Sequence, residues 1–270
     1  MSSNLIQYIC IKEIGVVMIL LGDYHTHTTY SRHGHGKGSV LENASVAASK
    51  GLKQIAITDH GFNHPVYGLR KKDIEPLRED ILNAREVSGI DILLGVEANL
   101  TSFNGDVDLS EEDLQDFDII LMGHHKFIIG NRKYRDTIAL QCTNGIAKIF
   151  TPTKERINKN TTAFLKAIDK YPIDIITHLN YGAPTDTLAV ARTAREKGVY
   201  IELNGKRINF TDEEIVTMAE EGVKFIVDSD AHSPDKVGEC NKAMNLIYRL
   251  GIPASLIANM DKLPKFKKKR

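Results

Sequence analysis

Asp23-Tyr24-His25-Thr26-His27 closes an apolar run that begins at Ile19. Two imidazoles two residues apart on an extended chain point to the same side, so both can bind one ion. The pattern recurs along the chain. Thr58-Asp59-His60, Gly95-Val96-Glu97, Gly123-His124-His125, Ile176-Thr177-His178 and Asp228-Ser229-Asp230-Ala231-His232 each end an apolar run in a histidine or a carboxylate. Imidazoles and carboxylates at the ends of successive strands converge on one face, and such a face is first of all a set of metal ligands.

Seven runs read as buried strands: residues 19–25, 54–58, 92–97, 119–122, 173–177, 199–203 and 224–228. Most are rich in Ile and Val and nearly continuous rather than alternating, as in parallel strands covered on both faces. Helical patterns lie between them at residues 39–50, 73–87, 185–197 and 212–221; the first, third and fourth stop at Gly51, Gly198 and Gly222. Repeated strand and helix imply right-handed βαβ units. An open sheet gathers ligands near one switch point, from a few strands. Ligand-type residues at nearly every strand end need closure instead, so the pattern predicts an α/β fold, a distorted (β/α)7 TIM-like barrel with its ligands at the C-terminal ends of the strands.

The bulk numbers fit one such barrel. The chain has 270 residues, a formal net charge of zero and 42% hydrophobic residues. Zero net charge gives no global pull toward nucleic acid or membrane. Cys10, Cys142 and Cys240 form no CxxC pair and no disulfide framework, which favours a reducing cytoplasm. Lys12 and Glu13 interrupt the apolar start, so neither a signal peptide nor a membrane span is expected. Met18 precedes the first motif and is a second candidate start. The expected organisation is an extension of doubtful role over residues 1–17, one barrel over 18–260 and a basic tail over 261–270 that frays from Lys265 onward.

Residues 126–160 show no amphipathic period and carry eight lysines and arginines against two acids. A loop this long in a compact domain is usually functional. It reads either as a solvated surface loop or as a lid that attracts an anionic substrate.

Taken in order, these motifs resemble the PHP (polymerase and histidinol phosphatase) superfamily. The resemblance rests on Asp23-x-His25-x-His27, Ile57-Thr58-Asp59-His60-Gly61, Gly95-x-Glu97-Ala98-Asn99, Gly123-x-His125, Thr177-His178, Glu202-x-Asn204 and Ser229-Asp230-Ala231-His232. It is strongest for the stand-alone phosphatase branch with three metal ions. It implies a division of ligands: His25, His27, Glu97 and Asp230 on one ion; Glu97 shared with a second ion completed by His125 and His178; His35, His60 and His232 on a third. Imidazole-rich sites suit Zn, Mn or Fe better than Mg. Two pairs compete for one role each. His35-Gly36-Lys37-Gly38 fits the family pattern better than His33, and strand alternation lets only one of His124 and His125 face the centre, with the spacing from Asp118 favouring His125. Asp23 and Asp59 are expected to accept a hydrogen from a ligand imidazole or to cap a helix. His64 is expected at the rim. Glu202 and Asn204 are candidates to orient ligands, and Lys206 and Arg207 to hold phosphate oxygens or simply to face solvent.

The implied activity is hydrolysis of small phosphate monoesters by a metal-bridging hydroxide, with Glu97, Asp230 and His232 at the catalytic centre. Histidinol phosphate is one candidate substrate. A 3′–5′ exonuclease or nucleotide phosphatase on the same site is the alternative, but it calls for a basic track with stacking aromatics. The chain has no Trp, and its Tyr and Phe are not clustered. No stable nucleic-acid partner and no membrane partner are expected. A metal-stabilised scaffold without activity is the non-enzyme reading, and every expected ligand position is filled.

Overall fold

The computed structural model describes residues 8–10, 17–129, 134–145 and 151–267. A short antiparallel hairpin, β1 (Tyr8–Cys10) and β2 (Val17–Ile19), precedes the main sheet. Seven parallel strands follow in chain order: β3 (Gly22–Thr26), β4 (Gln54–Ile57), β5 (Asp91–Asn99), β6 (Ile119–Gly123), β7 (Ile175–Ile176), β8 (Tyr200–Asn204) and β9 (Phe225–Asp228). Each pairs in parallel with its sequence neighbour. Six helices lie in the crossovers, two of them between β6 and β7, and a seventh follows the last strand: α1 (Val40–Ser49), α2 (Ile74–Ser88), α3 (Tyr134–Gly145), α4 (Lys154–Lys170), α5 (Thr187–Lys197), α6 (Asp212–Glu220) and α7 (Asn241–Leu250). This is the expected (β/α)7 barrel.

Strand alternation divides the core. Ile55, Ile57, Ile120, Met122, Phe225 and Val227 pack outward with the helices. Ala56, Ile119, Leu121, Ile175 and Ile226 form a separate cluster with Tyr24 and Ala258. The runs look continuous in sequence because both faces of each strand are covered. Helix starts follow local chemistry. Ser39 with Glu42 and Thr211 with Glu214 form capping boxes at α1 and α6.

The first and last strands do not share a full ladder. Side chains and a single bridge close this seam. Thr26 and Ala231 form a parallel bridge, with His27 N donating to Ala231 O at 2.8 Å and Ala231 N to His25 O at 3.1 Å. Asp228 Oδ1 accepts from Tyr24 N at 2.7 Å. Lower down, the fully buried Asn259 amide donates to Gly22 O at 2.9 Å and to Val227 O at 2.6 Å, while its oxygen accepts from Val227 N at 3.0 Å.

Several sequence expectations are corrected. The apolar run at 19–25 is divided: Val17–Ile19 belongs to the hairpin and Gly22–Thr26 to the barrel. The segment 126–160 is not one loop, for α3 lies within it and α4 begins within it. The buried face of α4 starts with Asn160 and Thr161 before Ala163 and Phe164, so its first turns carry no apolar period. Arg132, Lys133 and Lys148 lie outside the described residues. Residues 265–267 of the tail are not frayed, and residues 268–270 lie outside the described residues. Phe266 sets its ring 4.9 Å from that of Tyr24, Tyr200 Oη donates to Lys265 O at 3.1 Å, and Lys267 N donates to Asp174 Oδ1 at 2.8 Å. An aromatic side chain with an apolar floor to cover outweighs the charge of its lysine neighbours.

Asn259→Ala leaves three backbone groups at the seam without partners. At about 1–3 kcal/mol for each unsatisfied buried group, with partial relaxation, the loss should reach about 2–5 kcal/mol. A fall in Tm of roughly 5–15 °C is expected by calorimetry. A variant melting within about 2 °C of the parent would show that the seam does not depend on this amide.

Candidate metal centre

β5 is the longest strand of the barrel, and it carries Glu97 to the centre of the C-terminal face. The Glu97 side chain is fully buried. Its Oε1 lies 2.8 Å from His178 Nε2 and 3.3 Å from both His25 Nε2 and His125 Nε2. Its Oε2 lies 3.0 Å from His60 Nδ1 and 3.7 Å from His27 Nε2. Burial alone would raise the carboxyl pKa, but the facing imidazoles of His125, His25 and His60 outweigh it and hold it well below the usual range. The approach is close enough to require glycine at position 123. A Cβ there would meet Thr177 Oγ1 at 2.5 Å and His178 Cε1 at 2.7 Å.

Beside Glu97, Asp230 Oδ1 lies 3.6 Å from His27 Nε2 and 3.9 Å from His25 Nε2. On the outer side, His35 Nε2 is 3.0 Å from His60 Nε2 and 2.9 Å from His232 Nε2. Of the competing pairs, His33 is exposed at φ 56°, while His35 joins this trio. His125 faces Glu97, while both ring nitrogens of buried His124 make no hydrogen bond. His60 reaches both Glu97 and His35, a double placement the resemblance did not imply.

Three partners fix ring orientation. Glu202 Oε1 lies 2.6 Å from His25 Nδ1, and its Oε2 accepts from His178 N at 2.6 Å. A carboxylate can only accept, so Nδ1 of His25 carries a hydrogen and Nε2 faces the centre. Asn99 Oδ1 acts likewise on His125 Nδ1 at 2.7 Å. Asn99 is itself held by buried Asp108, which also accepts from Asn63 N at 3.1 Å. The Asp108 carboxylate fills the space a Cβ on Gly61 would occupy. The third partner is the Asp230 carbonyl, 2.9 Å from His232 Nδ1.

Among the described residues, neither Asp23 nor Asp59 hydrogen-bonds an imidazole or caps a helix. Asp59 is consumed by the main-chain and hydroxyl donors of Thr28 and Ser31, at 2.6–3.0 Å. Asp23 accepts from Ser229 N at 3.0 Å, Gly238 N at 2.7 Å and the Ser229 hydroxyl. Each holds the loop that carries ligand-type histidines rather than the rings themselves. His64 is not a rim residue. It is buried, and its ring stacks on Tyr67 at 3.3 Å, with His35 at 3.9 Å on Tyr67 as well. Sequence reasoning missed Tyr67 and Asp108, because neither ends a strand nor follows a period.

The electrostatics divide the imidazoles. Burial holds His27 well below the ordinary histidine value, and it lowers His35 to about 4 and His60 to about 3. For His25 and His178 burial acts in the same direction, but Glu97 and its neighbouring carboxylates reverse the outcome and raise both. Asp230 is held well below the carboxylate range against its burial, chiefly by His25 and His27. His178 and Asp230 have φ of 29° and 54°, positive values that cost backbone energy.

The donor set fits divalent cations. Among the described residues, His27/His60/His232, His25/His27/Glu97 and His60/Glu97/His125 each bring one donor atom apiece within 4.8 Å of one another. His25 Nε2, both nitrogens of His27 and Glu97 Oε2 are buried without a hydrogen bond. Such atoms are costly unless something coordinates them.

A family model described as the PHP domain matches residues 23–206, well over half of the chain. A probable phosphatase of Caldanaerobacter subterraneus subsp. tengcongensis is 32% identical over 262 residues, covering 92% of this chain and 91% of its own. A probable phosphatase of Clostridium novyi is 29% identical over 254 residues, covering 88% and 90%. Among solved structures, the histidinol phosphate phosphatase of Lactococcus lactis subsp. lactis, complexed with zinc, L-histidinol and phosphate, matches with a TM-score of 0.57 at 17% identity. That match covers 89% of this chain and 98% of the other and bears on the fold. By family model, and by a relative at 32% identity along nearly its whole length, the chain belongs to the PHP domain family.

Proposed function

We propose that this chain is a metal-dependent phosphoesterase acting on small phosphate monoesters. One observation carries the reading: a fully buried carboxylate, Glu97, stands within 3.7 Å of five imidazoles. The names of the relatives support it, as does the phosphate and zinc in the Lactococcus structure.

In this reading His25, His27, Glu97 and Asp230 hold one ion. Glu97 is shared with a second, held also by His125 and His178, and His35, His60 and His232 hold a third. A nitrogen-rich set with two carboxylates suits Zn, Mn or Fe. When bound, the ions supply Lewis acidity to phosphoryl oxygens and lower the pKa of water. The chain supplies the rest. Glu97 gives the negative charge that lets cations sit close together. Glu202 and Asn99 keep the lone pairs of His25 and His125 aimed inward. The low pKa values of His27, His35 and His60 leave these rings unprotonated at neutral pH, so no proton competes for their lone pairs. Glu97, Asp230 and His232 form the proposed catalytic centre.

No helix among the described residues is long and apolar enough to cross a membrane. Cys142 and Cys240 are free thiols. We place the enzyme in the cytosol, acting on a diffusible phosphorylated metabolite.

Metal-reconstituted protein should release phosphate from an aryl monoester, and a chelator should abolish the release. Glu97→Gln keeps the size and removes the charge. It should cost more than the roughly 10–100-fold typical of a partner behind a ligand. A panel including histidinol phosphate and single-stranded oligonucleotides checks the substrate class. Fully metallated protein that releases no phosphate from any monoester would overturn the reading.

Glu202→Gln should weaken zinc binding by about 10–100-fold, because His25 loses its charged acceptor. A competition titration against a chromophoric chelator measures this. Zinc affinity within twofold of the parent would remove Glu202 from the orienting role.

A further inference from the structure

Lys206 follows β8, and its main chain is fixed. Its N–H and that of Arg207 donate to Asn204 Oδ1 at 2.9 and 3.1 Å, and Lys242 Nζ donates to its carbonyl at 3.1 Å. Its side chain reaches into the centre. The ammonium lies 3.2 Å from Asp230 Oδ1 and 2.7 Å from His232 Nδ1. The same Nδ1 is 2.9 Å from the Asp230 carbonyl.

These contacts of Nδ1 exclude one another. A carbonyl only accepts and an ammonium only donates. With a hydrogen on Nδ1, His232 donates to the Asp230 carbonyl, its Nε2 lone pair faces His35, and Lys206 confronts an N–H. With a lone pair on Nδ1, Lys206 donates to it, and Nε2 carries a hydrogen toward His35. Only the first arrangement lets Nε2 bind a cation. The other partner of Lys206, Asp230 Oδ1, belongs to the proposed ligand set. Metal binding through Nε2 therefore takes the Nδ1 lone pair from the ammonium, while a coordinated Asp230 can still accept from it, so Lys206 stays beside the ions.

We propose that Lys206 is the phosphate-binding cation of this site. Its ammonium, within hydrogen-bond distance of His232 Nδ1 and Asp230 Oδ1, is placed to pair with the phosphoryl oxygens of the substrate. Three N–H donors on a side chain about one-third exposed suit an incoming anion. Arg207 is directed elsewhere, its guanidinium 4.2 Å from the centroid of the Tyr181 ring. The proposal rests on the metal-dependent phosphatase reading above.

The test is calorimetric titration of inorganic phosphate into manganese-loaded parent, Lys206→Met and Lys206→Arg proteins of equal measured metal content. Lys206→Met should bind phosphate about 10-fold or more weakly, the loss of one charge-assisted hydrogen bond. Its KM for a monoester should rise more than its kcat falls, and Lys206→Arg should recover part of the affinity. Metal-free Lys206→Met should also bind the metal more tightly than the parent, since the competing ammonium is gone. Phosphate affinity within twofold of the parent at equal metal content would overturn the proposal. So would weaker metal binding with unchanged phosphate affinity, which would make Lys206 a strut for His232. Turnover by the parent judges the phosphatase reading separately: Lys206-dependent phosphate binding without turnover would sink that reading and leave the Lys206 assignment standing.

Discussion

A single buried carboxylate governs the upper face of this barrel. Among the described residues, no Lys or Arg forms an ion pair with Glu97; five imidazoles surround it instead. A carboxylate so placed is expensive unless positive charge sits beside it. The facing carboxylates raise the pKa values of His25 and His178, which favours positive charge beside it. Divalent cations would add positive charge there and would coordinate the buried donor atoms that make no hydrogen bond. The positions of the surrounding strand ends follow from this requirement, since each must deliver its side chain to within about one ligand length of the same two oxygens.

The architecture meets that demand at the seam. Seven strands in parallel order bring their C-terminal ends to one level, but the first and last do not pair along their length. Buried side chains replace the missing ladder: Asn259 below, Asp228 at mid-height and Asp23 above, the last tying Ser229 and Gly238. This stitching fixes His25 and His27 against Asp230 and His232 across the gap. The backbone strain at His178 and Asp230 falls on two of the residues that face Glu97 or its neighbours. Strain there is tolerated because the packed strands on either side over-determine the loop.

The legible part of the sequence was local. His25, His27, His60, Glu97, His125 and His178 each end an apolar run, so strand pattern and ligand chemistry pointed to one face. The fold class followed from the same runs. What stayed hidden depended on contacts between distant segments. Asn259 looks like any loop asparagine until Gly22 and Val227 are placed beside it. Asp108 has no motif, yet it holds Asn99 behind His125. Asp23 and Asp59 sit in motifs, and their chemistry suggested imidazole partners, but main-chain and hydroxyl donors reach them first. α4 was hidden because its buried face opens with Asn160 and Thr161, which find partners in Asn144, Pro184 and Ile157 rather than in an apolar stripe.

Anomalous X-ray scattering from crystals grown with zinc shows whether cations meet at Glu97. Anomalous density is expected on both sides of the Glu97 carboxylate, with a further peak enclosed by His35, His60 and His232. A zinc-grown crystal in which no cation touches Glu97, with the imidazoles hydrogen-bonded to it instead, would contradict the account.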